Sequence, residues 1–351
     1  MSVRLYAGYD DGLRVIDHGG DVSVRLAEQT VECISVTTDS DSTAERDTPA
    51  RVLVGTFDTG LFRSTDGGET FERVAAETLG PGGSGPDAVT ALATSPHDPA
   101  VVWVGTEPSR IYRSTDGGES VEPVEGLTDA PSASEWSFPP RPDTHHVRWI
   151  EPCPADPERW FVGVESGALL VTPDGGETWI DRPEGSRRDN HTLATHPNAP
   201  ERVYAAACDG FAESTDRGRS WRVVDAGLAH GYVWGLAVDP DDPETVLVSA
   251  AASAGAAHRR GEAYLYRRIV DGDPDGSSPN AGVRFERLDD RGIPTGEGSS
   301  RAVLANGRDA GAVWALHDGG LYRTGDAGDS FERVPAALPT RPARALAVGS
   351  E

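Results

Sequence analysis

A single eight-residue pattern returns five times along this chain, and a repeat on this scale constrains architecture before any local assignment does. Ser64-Thr65-Asp66-Gly67-Gly68-Glu69-Thr70-Phe71 recurs as Ser114-Thr115-Asp116-Gly117-Gly118-Glu119-Ser120-Val121 and as Thr172-Pro173-Asp174-Gly175-Gly176-Glu177-Thr178-Trp179. It returns again as Ser214-Thr215-Asp216-Arg217-Gly218-Arg219-Ser220-Trp221 and Thr324-Gly325-Asp326-Ala327-Gly328-Asp329-Ser330-Phe331. The aspartates are 50, 58, 42 and 110 residues apart, so one repeat inside the last interval has lost the pattern. The same elements surround each copy, most clearly from Ala88 to Val124. A strand over 89–94 leads into a Ser95-Pro96-His97-Asp98-Pro99 turn, strands over 101–105 and 110–114 follow, and the pattern opens onto a fourth. Four short antiparallel strands in ~50 residues make a propeller blade.

The pattern, S/T-x-D-x-G-x-S/T followed usually by an aromatic residue, resembles the Asp box of the BNR-repeat proteins. That group includes sialidases, xyloglucan hydrolases, sortilin-type receptors and photosystem assembly factors. The resemblance implies that Asp66, Asp116, Asp174, Asp216 and Asp326 are hairpin staples and not catalysts. The physics agrees: Asp and Ser/Thr accept backbone N–H groups within a tight turn, Gly supplies a positive φ, and the aromatic packs between sheets.

Equivalent units begin near Thr30, Ala88, His146, Asp189, Tyr232 and Ser300, which makes six. The N-terminus adds three strands, over 4–8, 12–16 and 22–26, and the C-terminus a lone one over 343–348. Joined, these predict an all-β, seven-bladed β-propeller of four-stranded antiparallel blades. It forms a single domain over 1–351, its first blade closed by the C-terminal strand so that no long sheet edge is left open. The unit at 232–289 is irregular, with a long insert over 250–263. Its pattern is replaced by Asp271-Gly272-Asp273-Pro274-Asp275-Gly276, which resembles the start of a calcium loop but has Gly282 at the twelfth position, where such a loop needs Glu.

Composition narrows the partners. Fifty-seven Asp and Glu face 32 basic residues, every one of them arginine, for a net charge of −25. Such acidity argues against nucleic acid or an anionic membrane, and no apolar run reaches the ~18 residues of a membrane span. Acid excess without lysine fits a cytoplasm of very high salt, where ions screen self-repulsion. The first residues run straight into a strand with no export signal, so the expected location is cytoplasmic. Cys33, Cys153 and Cys208 form no CxxC pair and read as reduced fillers.

Candidate site residues come from aligning the first strand of each blade on an apolar anchor, four residues before a turn proline in Leu92, Ile150, Leu193 and Leu236. Two positions before the anchor stand Glu32, Thr90, Arg148, His191, Trp234, Ala302 and Arg344; four before it stand Thr30, Ala88, His146, Asp189, Tyr232, Ser300 and Pro342. These are expected to form two stacked rings at the mouth of a channel. Charged residues and histidine in a core-like strand require water or a partner. Arg148, Arg344 and Arg301 would bind an anion or sugar hydroxyls, with Trp149 or Trp234 as a stacking surface. His146, Asp189 and His191 form a workable set for a divalent metal, and no other cofactor is indicated. The long segments 129–145 and 250–263 are expected to wall the site or to be solvated surface.

Two functions compete. One is a non-catalytic module that binds a small-molecule, glycan or protein ligand, as the assembly-factor and receptor members of the resembled group imply. The other is a glycoside hydrolase, for which Glu165, Asp189, Tyr232 and the arginines supply candidate groups. The Arg-Ile-Pro segment that precedes the boxes in sialidases is absent.

Overall fold

The inner strands of the repeat are rich in Val, Ala and Thr and their second strands are continuous apolar runs, so each sheet buries both faces of its middle. In the computed structural model, which describes residues 3–37, 49–270 and 282–350, they form seven antiparallel sheets of a β-propeller. The C-terminal strand Ala345–Ser350 pairs with Val3–Tyr9, Leu5 opposite Val348, and completes the first blade as expected. The calcium-like run 271–276 lies outside the described residues.

The repeated pattern forms one turn five times, between the third and fourth strands of a blade. Ser64 Oγ accepts the Gly68 N–H at 2.8 Å and donates to Asp66 Oδ1 at 2.7 Å. Asp66 in turn accepts the Thr70 N–H at 2.9 Å and the Thr70 hydroxyl at 2.5 Å. Asp116, Asp174, Asp216 and Asp326 repeat this arrangement with Ser120, Thr178, Ser220 and Ser330. Both middle positions are left-handed, yet the first is Gly67 in one copy and Arg217 or Ala327 in others. The second is always Gly, because a Cβ there would lie 2.7 Å from Tyr6 Cε1 at Gly68 and 2.9 Å from Leu53 Cδ2 at Gly118. The neighbouring blade and a φ of 91–96° at Gly68, Gly118, Gly176 and Gly328, against 62° and 56° at Arg217 and Ala327, together require the repeated glycine.

The chain divides into two compact units: Met1–Arg182 with Ala336–Leu338 and Ala343–Glu351, and Pro183–Pro335 with Pro339–Pro342. The first holds blades one to four. Trp103 stacks on Trp160 at 4.6 Å in its core, which also takes in Trp136. The segment 129–145 is pinned in its first half, where Trp136 Nε1 donates to Ser132 Oγ at 2.9 Å and the Ser132 hydroxyl and N–H bond to Asp181 at 2.7 and 2.8 Å, while residues 139–143 are exposed.

The second unit holds blades five to seven. Tyr204, Phe211, Val233, Val248, Tyr266 and Phe285 share one core. Beside it Arg268 donates to Glu213 at 3.0 Å with both side chains 1% exposed. The insert of blade six is shorter than expected, since strands run to Ala251 and resume at Glu262. Between them lies a π-helical turn, Ala256–Arg260, whose Ala256 and Ala257 are fully buried.

Candidate functional site

The inner strands carry a shared irregularity at the position where the candidate residues were expected. Pairing with the second strand slips between Val31 and Cys33, Val89 and Ala91, Val147 and Trp149, Asn190 and Thr192, and Val233 and Gly235. Each slip leaves one extra residue: Glu32, Thr90, Arg148, His191 or Trp234. A bulge turns its extra residue out of the ladder and re-aims its side chain. In the remaining blades Ala302 and Arg344 immediately precede the inner strands Val303–Asn306 and Ala345–Ser350.

Two of these side chains do the same job in different units. Thr90 Oγ1 donates to the Val147 carbonyl at 2.7 Å, and His191 Nδ1 to the Val233 carbonyl at 2.7 Å. Val147 and Val233 are the residues just before the next blade's bulge, so each bond ties one inner strand to the next. A carbonyl only accepts, so His191 Nδ1 carries the proton.

In the first unit the polar groups form ion pairs. Arg344 Nη1 donates to Glu32 at 2.6 Å. His146 bonds Glu165 through Nε2 at 2.9 Å, and Arg148 Nε lies 3.6 Å from the same Glu165 oxygen. His146 Nδ1 is buried 3.6 Å from Glu107, without a hydrogen bond among the described residues. Arg141 grips Glu107 from Nε at 2.8 Å and from Nη2, and its guanidinium lies over the rings of Phe57 and Phe138 at 5.0 and 4.8 Å. Burial, with Arg110 and His146 close by, lowers the pKa of His145. Trp149 Nε1 donates to Glu151 at 3.1 Å.

The second unit gathers aromatic rings. Arg301 lies over the Trp234 indole, 3.9 Å from its centroid, and donates from Nε to His258 Nδ1 at 3.0 Å. Because that nitrogen accepts, the neutral imidazole carries its proton on Nε2, which donates to the Tyr232 hydroxyl at 2.8 Å. His258 meets Trp234 edge-on at 4.6 Å, and His191 packs against Trp234 and Tyr232 at 4.7 and 4.9 Å. Asp189 Oδ1 stands 3.9 Å from His191 Nε2. Ser300 donates its N–H and hydroxyl to Asp318 at 3.0 and 2.8 Å.

The predicted residues thus fall into two sets: His146, Arg148, Glu165 and Arg344 in the first unit, and Asp189, His191, Tyr232, Trp234 and Arg301 in the second. Trp234 is 8% exposed, its ring covered by Arg301 and histidines. Of the expected metal set, Asp189 and His191 approach one another, while His146 commits Nε2 to Glu165. Sequence reading missed Glu107 and Arg141, which lie on no repeat position. It also missed the bulge, whose signal in four of the five blades was a glycine opposite or after it: Gly55 faces Cys33, Gly105 faces Ala91, Gly163 faces Trp149, and Gly235 follows Trp234, while Ala206 faces Thr192 in the fifth. A Cβ at Gly55 would lie 2.4 Å from Cys33 Sγ.

No protein-family model matches the chain, and no curated protein is similar to it in sequence. Solved structures are similar. YCF48 from Cyanidioschyzon merolae superposes with a TM-score of 0.57 at 16% identity, covering 89% of this chain and 86% of that one. YCF48 bound to a D1 peptide gives 0.54 at 17%, covering 87% and 82%. The GH74 xyloglucanase from Xanthomonas campestris gives 0.64 at 18%, covering 97% of this chain and 52% of the enzyme, so the chain spans about half that enzyme's length. At such identities the likeness is one of fold, a propeller shared with YCF48 and with GH74 enzymes.

Proposed function

We propose that the chain is a ligand-binding or assembly module of the Asp-box kind. Its ligand bears an anionic or hydroxyl-rich group and is met within one unit by side chains at or beside the inner-strand bulges. The observation that carries this reading is the variety at one repeated backbone position: Glu32, Thr90, Arg148, His191 and Trp234 all occupy the bulge. Packing alone would favour one solution repeated, as at the turns; a surface shaped for a particular ligand favours different groups. Arg148 and Arg344 are the first unit's contacts for an anion. Arg301, preset by Trp234 and His258, is the second unit's.

Glycoside hydrolysis needs two carboxyls facing one another across an open cleft, about 5–5.5 or 6.5–9.5 Å apart. In the first unit Glu32, Glu107 and Glu165 are each bonded instead to arginine or histidine. The resemblance to YCF48, one structure of which holds a peptide, supports a protein ligand. The test is a thermal-shift panel of acidic peptides and xyloglucan oligosaccharides on the full chain, repeated with Arg148→Ala, Arg301→Ala and, as a control outside the site, Asp116→Ala. A probe that stabilises the wild type should lose tenfold or more in affinity with at least one arginine variant and keep its affinity with Asp116→Ala. Release of reducing sugar from xyloglucan would overturn the reading in favour of a hydrolase.

A further inference from the structure

His146 lies between two carboxylates, and only one of its ring nitrogens is bonded. The residue is 6% exposed. Nε2 is 2.9 Å from Glu165 Oε2, and because an ionised carboxylate only accepts, that nitrogen carries a proton. In the neutral imidazole the lone pair is then on Nδ1, which is buried 3.6 Å from Glu107 Oε2 and has no hydrogen bond among the described residues. A lone pair and a carboxylate oxygen repel each other. A second proton, on Nδ1, turns the same approach into a charge-assisted hydrogen bond.

Glu107 couples this nitrogen to a larger piece of the chain. It ends the strand Val102–Glu107, and its side chain, 8% exposed, is gripped by Arg141 from Nε on Oε1 at 2.8 Å and from Nη2 on Oε2. The oxygen that faces His146 Nδ1 is therefore the one that Arg141 Nη2 uses. Arg141 belongs to the loop 137–144, whose internal bonds run from the Phe138 N–H to the Thr144 carbonyl at 2.9 Å, from Arg141 to Phe138 at 2.8 Å and from Thr144 to Arg141 at 3.1 Å. Phe138 of the same loop meets the His146 ring edge-on at 4.7 Å. Other charges surround the pair. Arg148 lies 3.6 Å from the Glu165 oxygen, and the bonds to Glu107, opposed by burial and helped by Glu32 and Glu165, raise the pKa of Arg141. Burial, with Arg110 and His146 adding to it and Glu107 opposing, lowers the pKa of His145, so that ring takes up its proton later than an ordinary imidazole as the pH falls.

We propose that His146 is a proton-operated latch for the loop 137–144. With the ring neutral, Nδ1 turns its lone pair on Glu107 and the carboxylate belongs to Arg141 alone. With the ring protonated, His146 donates to Glu107 from Nδ1 and to Glu165 from Nε2. Two cations then share Glu107 Oε2, the Arg141 grip weakens, and the loop is left with its internal bonds. The proton comes from solvent and returns to it. This proposal stands apart from the functional reading above, since it invokes no glycan, peptide or other ligand.

The experiment is amide hydrogen exchange on the full chain, read over residues 137–144 at about pH 7.5 and about pH 5.5 and corrected for the intrinsic pH dependence of exchange. An imidazole ordinarily gains its proton across that interval. In the wild type the protection of the loop should fall about fivefold or more as the pH drops, while the strands Val147–Pro152 and Trp160–Val164 keep theirs. His146→Gln retains a donor for Glu165 and offers Glu107 nothing that titrates, so its loop should be equally protected at both values. Arg141→Gln removes the grip, and its loop should exchange fast at both. If His146→Gln does not fold, Glu107→Gln decides alone and should likewise show no step. Wild-type protection that is the same at both pH values, or a step that persists in His146→Gln or Glu107→Gln, would overturn the proposal.

Discussion

At the turn between third and fourth strands, Ser or Thr, Asp and Gly recur in five blades; at the bulge of the inner strand, five blades present Glu32, Thr90, Arg148, His191 and Trp234 on the same backbone irregularity. The difference lies in what the side chain serves. In the turn it satisfies backbone groups that the ladder has abandoned, and only a short acceptor with a carboxylate two residues on can do so. At the bulge the flanking residues keep the ladder, the extra one stands outside it, and its identity is left to whatever it faces. Sameness in the turn therefore marks one backbone need met in one way, while variety at the bulge marks side chains that serve different partners: the next strand's carbonyl for Thr90 and His191, charged groups for Glu32 and Arg148.

Blade one tests that contrast most severely because it has neither device in the repeated form. Its corresponding turn uses Asp17, whose Oδ1 accepts the Gly19 and Asp21 N–H groups at 3.0 Å each, and its inner strand begins after Arg344. It depends instead on six paired residues, from Val3 opposite Ser350 to Gly8 opposite Ala345. Deleting Ala343–Glu351 exposes the edge of Val3–Tyr9, and the expected outcome is aggregation or loss of the cooperative melt. A truncated chain that melts like the parent would break the account of closure.

A smaller effect separates the turn from the bulge directly. Ser114 is 1% exposed and its hydroxyl both donates to Asp116 and accepts the Gly118 N–H, so Ser114→Ala strands a buried donor and should cost about 1–3 kcal/mol. Thr90→Val should cost about 1 kcal/mol, since the hydroxyl is lost from the Val147 and Gly105 carbonyls, 2.7 and 3.4 Å away. Chemical denaturation of both variants reads the two values. Thr90→Val costing more than Ser114→Ala would mean that the tie at the bulge holds the fold more than the turn does.

The blades, their number and the closing strand were legible because turn chemistry and apolar alternation are local. The alignment of candidate positions also proved structurally consistent, with Arg148, His191 and Trp234 each landing on a bulge. The bulge itself did not, because an uninterrupted alternation and a slipped one differ only in where Gly55, Gly105 and Gly235 fall relative to the partner strand. Glu107 and Arg141 were illegible for a different reason: they are 34 residues apart, on no shared periodicity, and met only because the first half of segment 129–145 is pinned by Trp136.

Acid titration sharpens the comparison further, because turn carboxylates and buried histidines respond in separate windows. Burial raises Asp66 and Asp116, but the bonds from Thr70 and Ser64, and from Ser120 and Ser114, outweigh it and leave both at about 2. A depressed carboxylate contributes stability above its unfolded pKa near ~4 and loses it as pH falls toward the folded value, so the turns should fail between roughly pH 4 and 2. His317 acts earlier and more weakly. It is 2% exposed, stacks on Tyr322 at 5.2 Å, and accepts the Gly319 N–H on Nδ1 at 2.8 Å, a bond that only the unprotonated nitrogen can make. Burial pushes its pKa below the ordinary 6.5, although Asp318 pulls the other way. The unfolded chain then binds the proton first, so stability falls as pH drops below about 6.5 and levels off once the folded state is also protonated. His317→Gln removes that step without touching the turns. Between pH 7.5 and 5 the melting temperature of the wild type should decline more steeply than that of His317→Gln, and both should then collapse together in the carboxylate window; parallel curves throughout would show that His317 carries no such linkage.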